Sequence, residues 1–260
     1  LLSRGLGDVY KRQLDIRTAF SAPVLSEMAL RLTDVEAEDD ALSVPPVGIP
    51  EHCTQITPEM LPLVSLTQDE IAAVVATVEG GVANVQDIYP LSPLQEGIVF
   101  HHLLQEEGDT YLLHSLLGFD SRDRLDTFLQ ALQQVIDRHD ILRSAACWQG
   151  ITHPVQVVWR HAPLQVNAFI PDGEADIATQ LLAYINPRRR RIALDKAPLF
   201  SADTVYDPQR GQWLLALCFH HLVCDHISMA LICGEITALL AGGSTSLPVS
   251  LPYRDFIAHT

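Results

Sequence analysis

The run Trp213-Leu-Leu-Ala-Leu-Cys-Phe-His-His-Leu-Val-Cys-Asp-His226 decides the reading of this chain. Its apolar stretch, Trp213–Phe219, leads straight into two histidines, with Asp225 and His226 just beyond. Successive side chains of a strand face opposite sides. In a strand that reaches His221, Trp213, Leu215, Leu217, Phe219 and His221 share one face, and Leu214, Ala216, Cys218 and His220 share the other. Only one histidine of the pair can therefore face a given cleft. Asp225 suits the start of a following helix, where a carboxylate accepts the free N–H groups and meets the positive end of the dipole.

Three readings of this run stay open. A histidine that titrates near neutrality, held at the end of a buried strand, suits proton abstraction from an amine or thiol. The same histidines could be hydrogen-bonded packing residues. A metal site could use His220 or His221 with Asp225 and His226, although neighbours on opposite strand faces do not readily share one ion.

Outward from this run, helix and strand periods alternate. Thr67-x-x-Glu70 predicts a capping box ahead of a short helix through Val78. Ser92 predicts a second cap, with Pro93 at the first helical position and Gln95 three residues on, for a helix to about Gln105. Strands are predicted over Tyr111–Phe119, Val155–Trp159, Leu164–Phe169, Leu199–Tyr206 and Trp213–Phe219. Helices are predicted over Leu125–His139, Ile177–Tyr184 and Asp225–Leu240. The pattern is mixed α/β, a sheet covered by helices.

The first 66 residues read differently. Residues 1–13 show no period and read as a leader that is not part of the fold. Residues 14–32 carry Ile16, Phe20, Val24, Leu25, Met28 and Leu32 at helical spacing, with Pro23 placing a turn before the helix. Residues 33–66 read as an extended linker, acidic at first and then bearing Pro45, Pro46, Pro50, Pro58 and Pro62. Residues 33–62 are expected to make few contacts with the lobe that follows.

The 260 residues carry a formal charge of −15, which excludes a phosphate-neutralising nucleic-acid binder and a polybasic membrane-surface protein. The apolar runs fall far short of the roughly 20 residues that span a bilayer. The N-terminus has no secretory signal pattern, and the expected location is the cytoplasm. Five scattered cysteines with no CxxC pair fit reduced thiols and argue against structural zinc.

Three further clusters bear polar side chains. His101 and His102 lie near the end of the helix that Ser92 starts, followed by Gly108-Asp109. Periodicity alone reads them as a helix end with a glycine stop. Arg143, in Arg138-His-Asp-Ile-Leu-Arg143, is a surface arginine or a fork for a buried carboxylate. Arg188–Arg191 reads as a solvated helix end, or as a contact for an acidic partner domain.

Taken together, Tyr89-Pro-Leu-Ser-Pro-Leu-Gln-Glu-Gly97, Arg138–Arg143 and His220-His-Leu-Val-Cys-Asp225 resemble the condensation domains of nonribosomal peptide synthetases. The resemblance implies a lobe like that of chloramphenicol acetyltransferase, with residues 67–260 as the N-terminal lobe of a truncated domain. It implies that His221 faces the reaction centre with His220 beside it. It also implies that Asp225 holds the motif through an arginine, Arg143 being the first candidate. His101-His102-Leu103 with Gly108-Asp109 resembles the extra motif of dual epimerisation/condensation domains, which ties His101, His102 and Asp109 to epimerisation. His226 replaces the glycine usual at the end of the central motif. Residues 14–32 resemble the last helix of a peptidyl carrier domain.

The resemblance implies no directly bound cofactor and no metal. Aminoacyl or peptidyl thioesters would arrive on the phosphopantetheine arms of upstream and downstream carrier domains, beside an adenylation domain. The alternatives are a plain condensation domain joining a D-donor to an L-acceptor, a non-catalytic docking module, and a standalone acyltransferase.

Overall fold

The computed structural model describes residues 44–173, 175–242 and 247–259, together with residues 12, 13, 24, 26, 27, 33 and 34. The chain divides into two units, 1–43 and 44–260. In the first, Arg12–Gln13 pairs antiparallel with Thr33–Asp34. Most of the carrier-like helix expected over 14–32, and most of the 1–13 leader, lie outside the described residues.

The second unit opens on a segment that the sequence reading placed in solution. Ile49, Ile56, Leu61 and Leu66 are all buried, in one core with Ile71 and Val74. The expectation of few contacts fails for residues 44–62. The prolines make this stretch extended, but the apolar residues between them give it a face to bury. Arg160 Nη2 also donates to the carbonyls of Ile49 and Pro50, each at 3.0 Å.

Helix α1, Gln68–Thr77, follows with both halves of the Thr67/Glu70 capping box formed. Strand β1, Val85–Pro90, leads to helix α2, Pro93–Leu104, where Ser92 and Gln95 form the second box. Strand β2, Leu112–Phe119, is followed by α3, Arg122–Arg138, whose apolar stripe buries Leu125, Leu129, Leu132, Val135 and Ile136. Then come β3, Ser144–Cys147, β4, Val155–Trp159, β5, Val166–Ala168, and α4, Ile177–Tyr184. Strands β6, Phe200–Asp207, and β7, Gln212–His220, precede α5, His226–Leu240, and a short α6, Tyr253–Ile257.

Two sheets result. The smaller has the order β1-β4-β3, all antiparallel, and is covered by α1 and residues 44–66. The larger has the order β2-β7-β6-β5, with β5 parallel to β6. Strand β7 is central and covered on both faces. Leu215, Leu217 and Phe219 pack in the core with residues of α3 and α5, while Leu214, Ala216 and Cys218 pack with Leu181 of α4. The alternation read from Trp213–His221 is thus the partition between two cores.

Buried charge joins distant parts of the unit. Asp87 on β1 and Arg254 on α6 pair at 2.7 Å, both almost wholly buried. Burial raises the Asp87 pKa, and Arg254 pulls it down. The mixed α/β architecture is as expected, with sheets and helices in layers.

Candidate active site

Strand β7 brings His220 and His221 to its C-terminal end, where the two side chains part. His220 is fully buried. The Leu222 N–H donates to its Nδ1 at 3.1 Å, so the neutral ring carries its proton on Nε2. That Nε2 lies 3.1 Å from Asp109 Oδ2. The same oxygen accepts from His102 Nδ1 at 2.5 Å, and Oδ1 accepts from the Tyr111 N–H at 3.0 Å. Burial pushes the Asp109 pKa up, but hydrogen bonds from His102, His220 and Tyr111 outweigh it and hold the carboxyl well below the usual range. An ionised carboxylate therefore sits between two histidine donors.

Local structure explains why Gly108 precedes this aspartate. Its φ is +67°, and a Cβ there would lie 2.5 Å from the backbone of Arg188. The strap at 187–188 closes onto it, with Pro187 O accepting the Asp109 N–H at 2.7 Å. Arg191 then donates to the carbonyls of His102, at 2.6 Å, and Gln105. These are orphan acceptors at the end of α2, where a cation is favoured. Arg190 pairs with Asp203 at 2.7 Å. The solvated helix end expected for Arg188–Arg191 is corrected for these two, whose side chains tie the strap to α2 and to β6.

His221, by contrast, is exposed, and its N–H donates to Tyr111 O at 2.9 Å. It lines two cavities. One, of about 350 Å³, is walled by Gln95, Ile98, Ile141, Asp225 and Tyr253. The other, of about 660 Å³, is walled by Thr110, His114, Phe219, His226 and Met229. The loop that holds His221 is pinned by Gln95, whose amide donates to Leu222 O at 3.1 Å and to Gln156 Oε1 at 2.9 Å. His101 is exposed and shares a 2.8 Å hydrogen bond between its Nδ1 and the Tyr111 hydroxyl.

Asp225 departs from expectation. It is half-buried, and its Oδ1 accepts from both the N–H and the hydroxyl of Ser228 at 2.8 Å. Those two bonds lower its pKa. Among the described residues no arginine pairs with it. Arg143 is buried elsewhere, donating to Gln86 Oε1 at 2.8 Å and to the carbonyls of Asp137, Trp159 and Arg160. The two residues belong to different layers: Arg143 precedes β3 of the smaller sheet, and Asp225 opens α5 over the larger. Asp225→Ala should accordingly cost about 1 kcal/mol, the value of a lost helix cap, rather than the roughly 3–5 kcal/mol of a broken buried ion pair. Urea unfolding of the variant beside Asp225→Ser checks this. A loss near the higher figure in alanine alone would restore the paired role.

His102, Asp109 and His220 each offer one possible metal-ligand atom, all within 4.8 Å of one another. The Leu222 amide decides against a cation there. It occupies His220 Nδ1 and so leaves the proton, not a lone pair, on the Nε2 that faces Asp109.

The structure thus brings His101, His102 and Asp109 together with His220 and His221, and leaves Arg143 apart. Sequence reading missed Tyr111 and the bond from Gln95 to Leu222, and it singled out Arg191 without its tie to α2. Only Gln95 carried a local signal, as part of a cap.

The family model for the condensation domain matches residues 85–260. The chain belongs to the condensation-domain family. This condensation domain is 42% identical over 256 residues to malpinin synthetase of Mortierella alpina, covering 98% of the chain and 3% of that protein. It is also 42% identical over 247 residues to malpibaldin synthetase of Mortierella alpina, covering 95% of the chain and 4% of that protein. The chain therefore spans only a few per cent of these relatives. Among solved structures, the starter condensation domain of rhizomide synthetase superposes with a TM-score of 0.53 at 20% identity, covering 66% of this chain and 43% of that one. The condensation domain of the monacolin K polyketide synthase gives 0.52 at 18% identity, covering 68% and 39%. At such identities the likeness is one of fold, and it bears out the layered α/β lobe.

Proposed function

We propose that this condensation domain works within a modular nonribosomal peptide synthetase, as the N-terminal lobe of a dual epimerisation/condensation domain preceded by the tail of a carrier domain. The observation that carries the dual reading is the buried His102–Asp109–His220 cluster. It couples the 101–109 stretch to the strand end that presents His221. The relatives and the coverage of about two fifths of the solved domains support the synthetase and lobe assignments. No described helix is long and apolar enough to cross a membrane, in keeping with a cytoplasmic synthetase.

The chemistry follows from His221 at the junction of the two cavities. The acceptor amine attacks the donor thioester carbonyl. The C–N bond forms, the C–S bond breaks, and the amine proton passes through the His221 imidazole to the departing thiolate. In the epimerisation step the acidic proton is that on the donor Cα, next to the thioester. The thioesters arrive on the phosphopantetheine arms of upstream and downstream carrier domains, and the adenylation domain supplies the acceptor.

The experiment loads the upstream carrier of the synthetase with L- or D-donor and reads the stereochemistry of the dipeptide. The dual reading expects one D,L product from either donor. A parent protein that accepts only preformed D-donor has a plain condensation domain. Failure to join either donor leaves the non-catalytic docking reading.

A further inference from the structure

We infer that His226 is a second proton-transferring residue at the His221 site, the group that delivers the proton completing inversion at the donor Cα. The inference rests on the dual reading above. Inversion needs a proton removed from one face of Cα and another delivered to the opposite face. A single fixed base returns its proton to the face it came from. The cavity of about 660 Å³ offers two faces. One wall is the sheet face that carries Leu113 and Phe219 and, just past the end of β7, His221. The other is the first turn of α5, with His226 and Met229.

Of the other ionisable groups nearby, His101 does not line this cavity and is bonded to the Tyr111 hydroxyl. His102 and His220 are buried and committed to Asp109, and His220 Nδ1 also accepts the Leu222 N–H. Asp225 is held as an anion by the Ser228 N–H and hydroxyl and has no proton to give. His114 pairs in register with Cys218, so its side chain leaves the sheet on the face opposite that of Phe219 and His221, and it borders the cavity at the β2 edge. His226 is exposed to the cavity from the helix side.

The step balances with two imidazoles and water. Neutral His221 takes the Cα proton of the L-donor, and the electron pair moves into the thioester carbonyl. His226, as imidazolium, gives its proton to the other face as the pair returns to Cα. Both rings then re-equilibrate with solvent. No oxidant or further reactant is consumed.

Deuterium oxide separates two bases from one. The synthetase, its upstream carrier loaded with L-donor, is incubated without acceptor, and the donor is then released for chiral analysis and mass measurement. The parent should yield D-donor carrying one solvent deuteron at Cα. His226→Gln fills similar space but cannot carry the proton. It should lower inversion by about 10²–10⁴-fold while the L-donor still gains deuterium with retention through His221. The converse variant, His221→Gln, should exchange the D-donor without inverting it. Should His226→Gln melt early, His226→Asn takes its place.

A His226 variant that inverts at the parental rate overturns the inference, as does a folded one that neither exchanges nor inverts. So does exchange without inversion in His114→Gln in place of the His226 variant. A parent that never inverts L-donor sinks the dual reading itself, a result distinct from an inverting parent with an inverting variant.

Discussion

Replacing His221 by alanine is expected to lower dipeptide formation by about 10²–10⁴-fold, the usual worth of a positioned general base, without loss of folded protein. Three observations set this expectation. The side chain is exposed, so its removal leaves no cavity in the core. It borders both cavities, so a thioester entering from one and an amine from the other would meet there. Its backbone remains tied to Tyr111 O whatever the side chain, so the loop keeps its place. Single-turnover rates with a D-donor preloaded on the upstream carrier measure the condensation step alone, and a thermal melt checks the fold. A variant that condenses within a few-fold of the parent would remove His221 from proton transfer.

Asp109→Ala should be the most damaging single change to the fold around the site. The carboxylate has no exposed side-chain surface and accepts from two buried histidines. Each stranded buried donor costs about 1–3 kcal/mol, so the pair costs roughly 2–6 kcal/mol in urea unfolding, and the Tyr111 N–H adds to it. Catalysis should fall with stability in both steps, because His220 holds the strand end that presents His221. The same logic places His102 behind both steps rather than in epimerisation alone.

The pH dependence has a definite sign. The folded pKa of Asp109 lies below its unfolded value. Its contribution is present above the unfolded carboxylate range, about pH 4, and is lost as pH falls through the lower folded value. Unfolding measured from pH 7 down to about pH 3 should show a steeper acid loss in the parent than in Asp109→Asn. Equal slopes would mean that the carboxylate is not held ionised by the two rings.

The elements read correctly from sequence are those whose cause is local. Thr67 with Glu70 and Ser92 with Gln95 each complete a cap within three residues, and both helices begin where the caps place them. The β7 alternation needed only its own side chains, since each face of that strand meets an apolar layer. Asp225 was placed at a helix start by the same kind of signal. The polar motif at 101–109 and the one at 220–225 were both visible as sequence.

What joins them was not visible, and the physical reason is distance along the chain. Asp109 meets His220 across 111 residues, and Gln95 meets Leu222 across 127. No periodicity encodes such pairings; they follow from which strands lie side by side in the folded sheets. The same holds for β3, Ser-Ala-Ala-Cys, whose short run shows no alternation because all four residues are buried. It holds for residues 44–66, where proline composition pointed to solvent until Ile49, Ile56 and Leu61 found a core to enter. Arg143 and Asp225 are the converse case, opposite charges that sequence alone could pair and that the layers keep apart. Sequence by itself determined where α1, α2 and α5 begin, the central strand and the inventory of ionisable groups. The tertiary structure decided which of those groups are sealed into hydrogen bonds, as His102, Asp109 and His220 are, and which are left facing a cavity, as His221 and His226 are. Burial and partner geometry are properties of the packed layers, not of any segment.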